Sequence, residues 1–141
     1  MELASKVGAD LVLGKGDDIA SRILEATEGR GVDNSCEFSG SPVALSNCIR
    51  STRLGGYVNV LSVYGQQEPN VPMNELVFRY LHLKGINGRK MWSTWDTMHE
   101  LLEKGAINVD AILTHRLPVS RFIEGIQLSA SGECGKVVLD F

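Results

Sequence analysis

The chain has fifteen glycines but never sets them in the G-x-G-x-x-G order that brings backbone amides at a helix start against a phosphate. A complete phosphate loop of that kind is therefore excluded from these 141 residues. The three cysteines, Cys36, Cys48 and Cys134, form no C-x-x-C pair and are odd in number, which argues against a disulfide framework and for inert, half-buried thiols. His82 and His99 carry no metal-binding pattern, so no metal is expected in this chain. The net charge of −3 comes without any run of like charge, which excludes an electrostatic footprint for nucleic acid or an anionic membrane surface. No apolar stretch approaches the roughly 20 residues that cross a bilayer, and the acidic start Met1-Glu2-Leu3 is unlike a signal peptide. A soluble, cytoplasmic domain with one ordinary core is expected.

What is present is a repeating strand, turn, helix, strand rhythm. Leu3, Ala4 and Val7 recur at helical spacing and stop at Gly8. Leu11-Val12-Leu13 is a short apolar run of the kind found in buried parallel strands, followed by the Gly14-Lys15-Gly16 turn. Asp17 or Asp18 can cap a helix carrying Ile19, Ile23 and Leu24, which ends at Gly29-Arg30-Gly31. Val32 to Phe38 is the next expected strand, and Ser41-Pro42 starts a helix with Ala44, Leu45, Cys48 and Ile49 on its buried stripe, up to Leu54-Gly55-Gly56. Tyr57 to Val63 is expected as a third strand, Tyr64 to Pro72 as a loop, Asn74 to Tyr80 as a short helix capped by Asn74, and Leu81 to Ile86 as a fourth strand.

Beyond Gly88 the rhythm changes. Trp92, Trp95, Met98, Leu101 and Leu102 stripe a helix ending at Gly105, Ala111 to Leu117 can extend, Ser120 can cap a helix carrying Phe122, Ile123 and Ile126, and Lys136 to Phe141 forms a terminal strand. The two tryptophans can cover a pocket, though three-residue spacing on a helix favours packing. The pattern predicts an α/β fold with a parallel sheet over residues 1–90 and a helical and strand appendage over 91–141.

Several pieces fall in one order: Glu37-Phe38-Ser39-Gly40, Leu54-Gly55-Gly56, Lys84-Gly85-Ile86-Asn87-Gly88-Arg89, Trp92 to Trp95, Ile112 to Arg116, and Gly135-Lys136-Val137-Val138. In that order and spacing they resemble the C-terminal part of the zinc-dependent medium-chain alcohol dehydrogenases, and the K-G-I-x-G-R and W-x-T-W stretch is most similar to the threonine dehydrogenase branch. The resemblance implies a partial Rossmann-like sheet, the second half of a doubly wound coenzyme domain, with a C-terminal segment of the catalytic domain. It implies NAD as cofactor, with Leu61, Ser62 and Val63 at a strand's carboxyl end lining the nicotinamide side beside Ile86 and Asn87, and with Lys136 against the pyrophosphate. The alternatives are core strand ends for Leu61 and Val63, and a solvated strand start for Lys136. Ser39 matches a position near the adenine but is as readily turn chemistry, and His115 is read as a hydrogen-bonded structural residue.

In that family the glycine loop and the zinc ligands precede the part matched here, so no zinc and weak or absent NAD binding are expected, and this polypeptide should not oxidise alcohols by itself. A sheet lacking the two strands between Leu11-Leu13 and Val32-Phe38 leaves an open edge. Either Leu11 to Lys15 moves to pair with Val32-Phe38 or a second copy supplies the edge. The family's pairing through the strand matching Leu81-Ile86 implies a homodimer. The competing reading is a non-catalytic module that pairs with a dehydrogenase subunit through exposed sheet edges, and a third is a small-ligand binder that keeps the nicotinamide side alone.

Overall fold

The computed structural model describes residues 2–14, 16–65 and 68–141. Contacts divide the chain into one unit of Lys15–Gly88 and another made of Met1–Gly14 with Arg89–Phe141. Residues 2–14, which the sequence pattern joins to the first domain, thus make their contacts within the second unit.

The Lys15–Gly88 unit is a three-stranded parallel sheet with crossover helices. A first short helix, α1 (Glu2–Lys6), belongs to the other unit; here the elements are α2 (Ile19–Ala26), β1 (Val32–Glu37), α3 (Pro42–Ser51), β2 (Thr52–Val60), α4 (Met73–Phe78) and β3 (His82–Gly85). The strands lie in the order β1-β2-β3, with Glu37 opposite Val60 and Val60 opposite Gly85. Ser41 caps α3 by accepting from the Ala44 amide at 3.4 Å, and Pro42 opens the helix, as the Ser-Pro signal predicts. The stripe of α3 then buries Leu45 and Ile49 against Val58 and Leu76, with Cys48, Val60, Tyr64, Val71 and Leu81 packed around them. Ile49 and Val58 are fully buried, and each such side chain stabilises the fold by roughly 1.5–3 kcal/mol. Arg79 closes the α3–β2 corner: its guanidinium donates to the carbonyls of Ile49 and Arg50 at 3.0 Å each, and also to that of Thr52. The first two are carbonyls that a helix end leaves without intrahelical partners.

Several sequence expectations are corrected. Residues 11–14 form no strand, and the only strand partner of β1 among the described residues is β2. The variant in which Leu11 to Lys15 pairs with Val32-Phe38 is thereby overturned for residues 11–14, while Lys15 itself lies outside the described residues. An apolar run becomes a strand only where another strand pairs with it, and among the described residues no strand pairs with residues 11–13. The second strand starts at Thr52 and stops at Val60, so Leu54-Gly55-Gly56 is part of it and Leu61 to Val63 follow it. Gly56 is needed there for close approach, since a Cβ on it would stand 2.5 Å from Thr52 Cγ2 and 2.9 Å from the Asp33 carbonyl. The strand expected over Val32–Phe38 ends at Glu37, and α2 ends at Ala26. Asn74 does not cap α4, which begins after Pro72 without a side-chain cap. Of the Tyr64 to Pro72 loop, Gln66 and Gln67 lie outside the described residues and the rest has no regular element.

In the second unit, α5 (Ser93–Glu103) precedes a 3-10 turn, β4 (Leu113–Pro118), a second 3-10 turn, α6 (Phe122–Ser131) and β5 (Lys136–Asp140). β4 and β5 pair in parallel with Leu117 opposite Leu139, and α6 crosses between them. Gly125 lets α6 sit close: a Cβ there would lie 3.3 Å from Val137 and 3.6 Å from both Leu117 and Leu139. Ser120 is not the cap of this helix, since a 3-10 turn over Val119–Arg121 leads into it without a side-chain cap. The helix ends at Gly132 in the left-handed conformation. The expected packing of the tryptophan stripe is not found among the described residues: Trp92, Trp95, Met98 and Leu102 are exposed, with the Arg89 guanidinium 5.6 Å above the Trp95 ring.

Candidate functional site at the carboxyl ends of the strands

Parallel strands end on one side of a sheet, and ligands of open α/β folds sit outside those carboxyl ends. The ladder continues one residue past the strands: the Leu61 amide donates to the Glu37 carbonyl at 2.9 Å, and the Ile86 amide donates to the Val60 carbonyl at 2.9 Å. Five of the six residues expected at the site, Leu61, Ser62, Val63, Ile86 and Asn87, are thereby brought to one edge. Lys136 starts β5 in the other unit and is exposed. Leu61 and Val63 present apolar surface, Val63 being 87% exposed.

Beneath this edge lies a carboxylate. Glu37, 2% exposed, accepts from the Ser39 amide at 2.7 Å, the Ser39 hydroxyl at 2.6 Å, the Gly40 amide at 3.1 Å, the Tyr64 hydroxyl at 2.9 Å and the Ser62 hydroxyl. Burial works against its charge, and the hydrogen bonds from Ser39, Ser62 and Tyr64 overcome it, holding the carboxyl at about 2. Burial, with the adjacent carboxylate, raises the Tyr64 phenol, so Tyr64 is a donor across the neutral range. Gly40 adopts φ +71, and a Cβ on it would lie 2.7 Å from the Val63 carbonyl, so only glycine permits this approach.

Sequence reasoning quoted Glu37 within the Glu37-Phe38-Ser39-Gly40 motif but gave it no role at the site, and it did not single out Tyr64. The available signal was a charged residue closing a strand, two positions before Ser39-Gly40, where a carboxylate can accept from the following amides. Ser39 serves this turn. His115 Nδ1 lies 2.9 Å from Thr114 Oγ1, and His82 stacks on Tyr57 at 4.5 Å between ring centroids.

The fit to the implied groups differs along the edge. On the side implied for the nicotinamide, Leu61 and Val63 present exposed apolar side chains, a surface compatible with a flat ring. A pyrophosphate does not fit at the start of α2, because that helix is capped by the Asp18 carboxylate, which accepts from the Ser21 amide at 3.3 Å and its hydroxyl at 2.8 Å. Those bonds hold Asp18 below the usual carboxylate range, placing negative charge where a phosphate needs free amides. For zinc, no group of three potential ligands gathers among the described residues.

A three-stranded parallel sheet with crossover helices and a built carboxyl-end edge defines a nucleotide-type α/β domain. The chain belongs to the zinc-binding dehydrogenase family, whose profile matches residues 1–104. It is 37% identical to the L-threonine 3-dehydrogenase of Bacillus licheniformis over 99% of this chain and 40% of that protein, and 37% identical to that of Pyrococcus horikoshii over 97% and 40%. The 2R,3R-butanediol dehydrogenase of Bacillus subtilis superposes with a TM-score of 0.86 at 26% identity, covering 99% of this chain and 40% of that one. An alcohol dehydrogenase from a Thermus species shares the fold, with a TM-score of 0.87 at 23% identity over 98% of this chain and 40% of its own. The chain thus spans about 40% of the length of the relatives it matches. The kinship expected from the motif order and the α/β class with parallel strands are both met. No helix among the described residues is long and apolar enough to cross a membrane.

Proposed function

We propose that this chain is the coenzyme-side portion of an NAD-dependent, threonine dehydrogenase-like oxidoreductase and that it has no alcohol-oxidising activity by itself. The observation that carries the reading is the aligned edge Leu61–Val63 with Ile86 and Asn87, held by the ladder bonds to the Glu37 and Val60 carbonyls. There Leu61 and Val63 offer apolar contact to the nicotinamide ring, and the main chain of residues 62, 63 and 87 offers hydrogen bonds to its carboxamide and ribose. Bound NAD supplies hydride acceptance; these residues orient the ring and exclude water from one side of it. Lys136, exposed at the start of β5 in the other unit, carries no part of this reading. Incubation of the chain with L-threonine, NAD and zinc should give no NADH, and steady turnover would contradict the proposal.

A second reading, an interaction module, is favoured by β3. All four of its residues are exposed, and β2 is its only strand partner among the described residues. A homodimer joined edge to edge through Leu81-Ile86 is proposed on that ground, with the outer edge of β1 as the alternative contact. A saturable NADH fluorescence signal separates the coenzyme reading from a pure interaction module, which should give none.

A further inference from the structure

We infer that Glu37 is a positioning residue: its buried carboxylate fixes residues 61–64 as the rigid half of the nicotinamide-binding edge. The inference deepens the proposed coenzyme function and rests on that reading.

A carboxylate offers about four lone-pair directions, and here the amides of Ser39 and Gly40 and the hydroxyls of Ser39, Ser62 and Tyr64 all converge on it. No lysine, arginine or histidine pairs with Glu37 among the described residues, so its charge is compensated by hydrogen bonds alone. A group so fully occupied has no acceptor left for a substrate proton or a metal ion, which removes a catalytic role and leaves an anchoring one. Its partners show what is anchored. Ser39 and Gly40 belong to the turn that leaves β1, whereas Ser62 and Tyr64 lie 25 and 27 residues further along the chain. Side chains of an extended segment alternate in direction, and Ser62 and Tyr64 turn inward to the carboxylate while Val63 between them is exposed. Gly40 adds a third tie by its close approach to the Val63 carbonyl. The Ser62 hydroxyl is therefore committed to Glu37, and a ligand at this edge meets the Leu61 and Val63 side chains and the main chain. A preorganised edge lowers the ordering penalty of binding.

The test uses the whole chain as Glu37→Gln, as the Ser62→Ala/Tyr64→Phe double variant and as the triple combination. Backbone order parameters at residues 62–64 should fall from about 0.85 to below about 0.6 in both the first and the second variants, with Ile49 and Val58 unchanged. The triple variant should be no looser than Glu37→Gln, because the two hydroxyls hold residues 62–64 through Glu37. Retained order in Glu37→Gln, or additional loosening in the triple variant, overturns the inference. Should Glu37→Gln fail to fold, the double variant, which leaves the β1 turn intact, decides by the same readout. Titration with reduced nicotinamide mononucleotide should weaken about tenfold in Glu37→Gln and in the double variant alike, and unchanged affinity alongside lost order overturns the positioning role. Absence of any saturable signal from the unaltered chain sinks the coenzyme reading instead, and the order parameters then decide the anchoring of residues 61–64.

Discussion

Replacing Glu37 by glutamine should flatten the acid limb of the stability curve. The carboxyl is held at about 2 in the folded chain against an ordinary 4.5, a difference that corresponds to about 3 kcal/mol at about 1.4 kcal/mol per pKa unit. Because the folded value is depressed, this stabilisation is fully present above pH 4.5, fades as pH falls, and is lost as pH passes through about 2. Glu2, Asp18, Asp33 and Asp140 are also lowered, by Lys6, Ser21, Arg53 and Arg116 respectively, but they are exposed and unaltered in the variant, so they cancel in the difference. Urea unfolding of both proteins from pH 7 down to pH 2 measures that difference directly. The gap between them should narrow by about 3 kcal/mol across this range. Curves that stay parallel would refute the buried, hydrogen-bonded carboxylate as described.

Gly31 holds φ +82, and a Cβ on it would stand 2.5 Å from the Ser51 carbonyl and 2.9 Å from the Arg53 amide, so Gly31→Ala should cost about 2 kcal/mol or more, read as a lower urea midpoint. Arg79→Met keeps the stem but removes the donors to three carbonyls at the α3–β2 corner; a loss of about 2 kcal/mol is expected by the same measurement. Leu83→Pro removes a backbone donor from β3 and blocks an edge-to-edge partner, so sedimentation should show the proposed dimer dissociating, with a monomeric unaltered chain counting against that interface.

Local chemistry made much of the fold legible. Ser41-Pro42 announced α3, and its stripe of Leu45 and Ile49 became the core because helical spacing alone decides which side chains face the sheet. Legibility failed where distant partners decide. Gly55-Gly56 reads as a helix stop, yet it lies within β2 because Asp33 and Thr52 crowd a position that no Cβ fits. Leu11-Val12-Leu13 has strand composition without a ladder partner among the described residues. At the candidate site, Leu61 to Val63 and Ile86-Asn87 were expected through strand-end logic and family likeness. Glu37 entered only as part of a motif and without a role, since its meaning depends on hydroxyls more than twenty residues away. The tryptophan stripe shows the converse: spacing that suits burial leaves Trp92 and Trp95 exposed when no described element covers them.

The central claim, that this chain builds the nicotinamide side of a coenzyme site and not the phosphate loop, is met most directly by titrating it with reduced nicotinamide mononucleotide and with NADH while following amide resonances. Similar weak affinities, with shifts concentrated at Leu61, Ser62, Val63, Ile86 and Asn87, are the predicted result. NADH binding tighter by about a hundredfold, with shifts centred on Gly14 to Asp18, would contradict it.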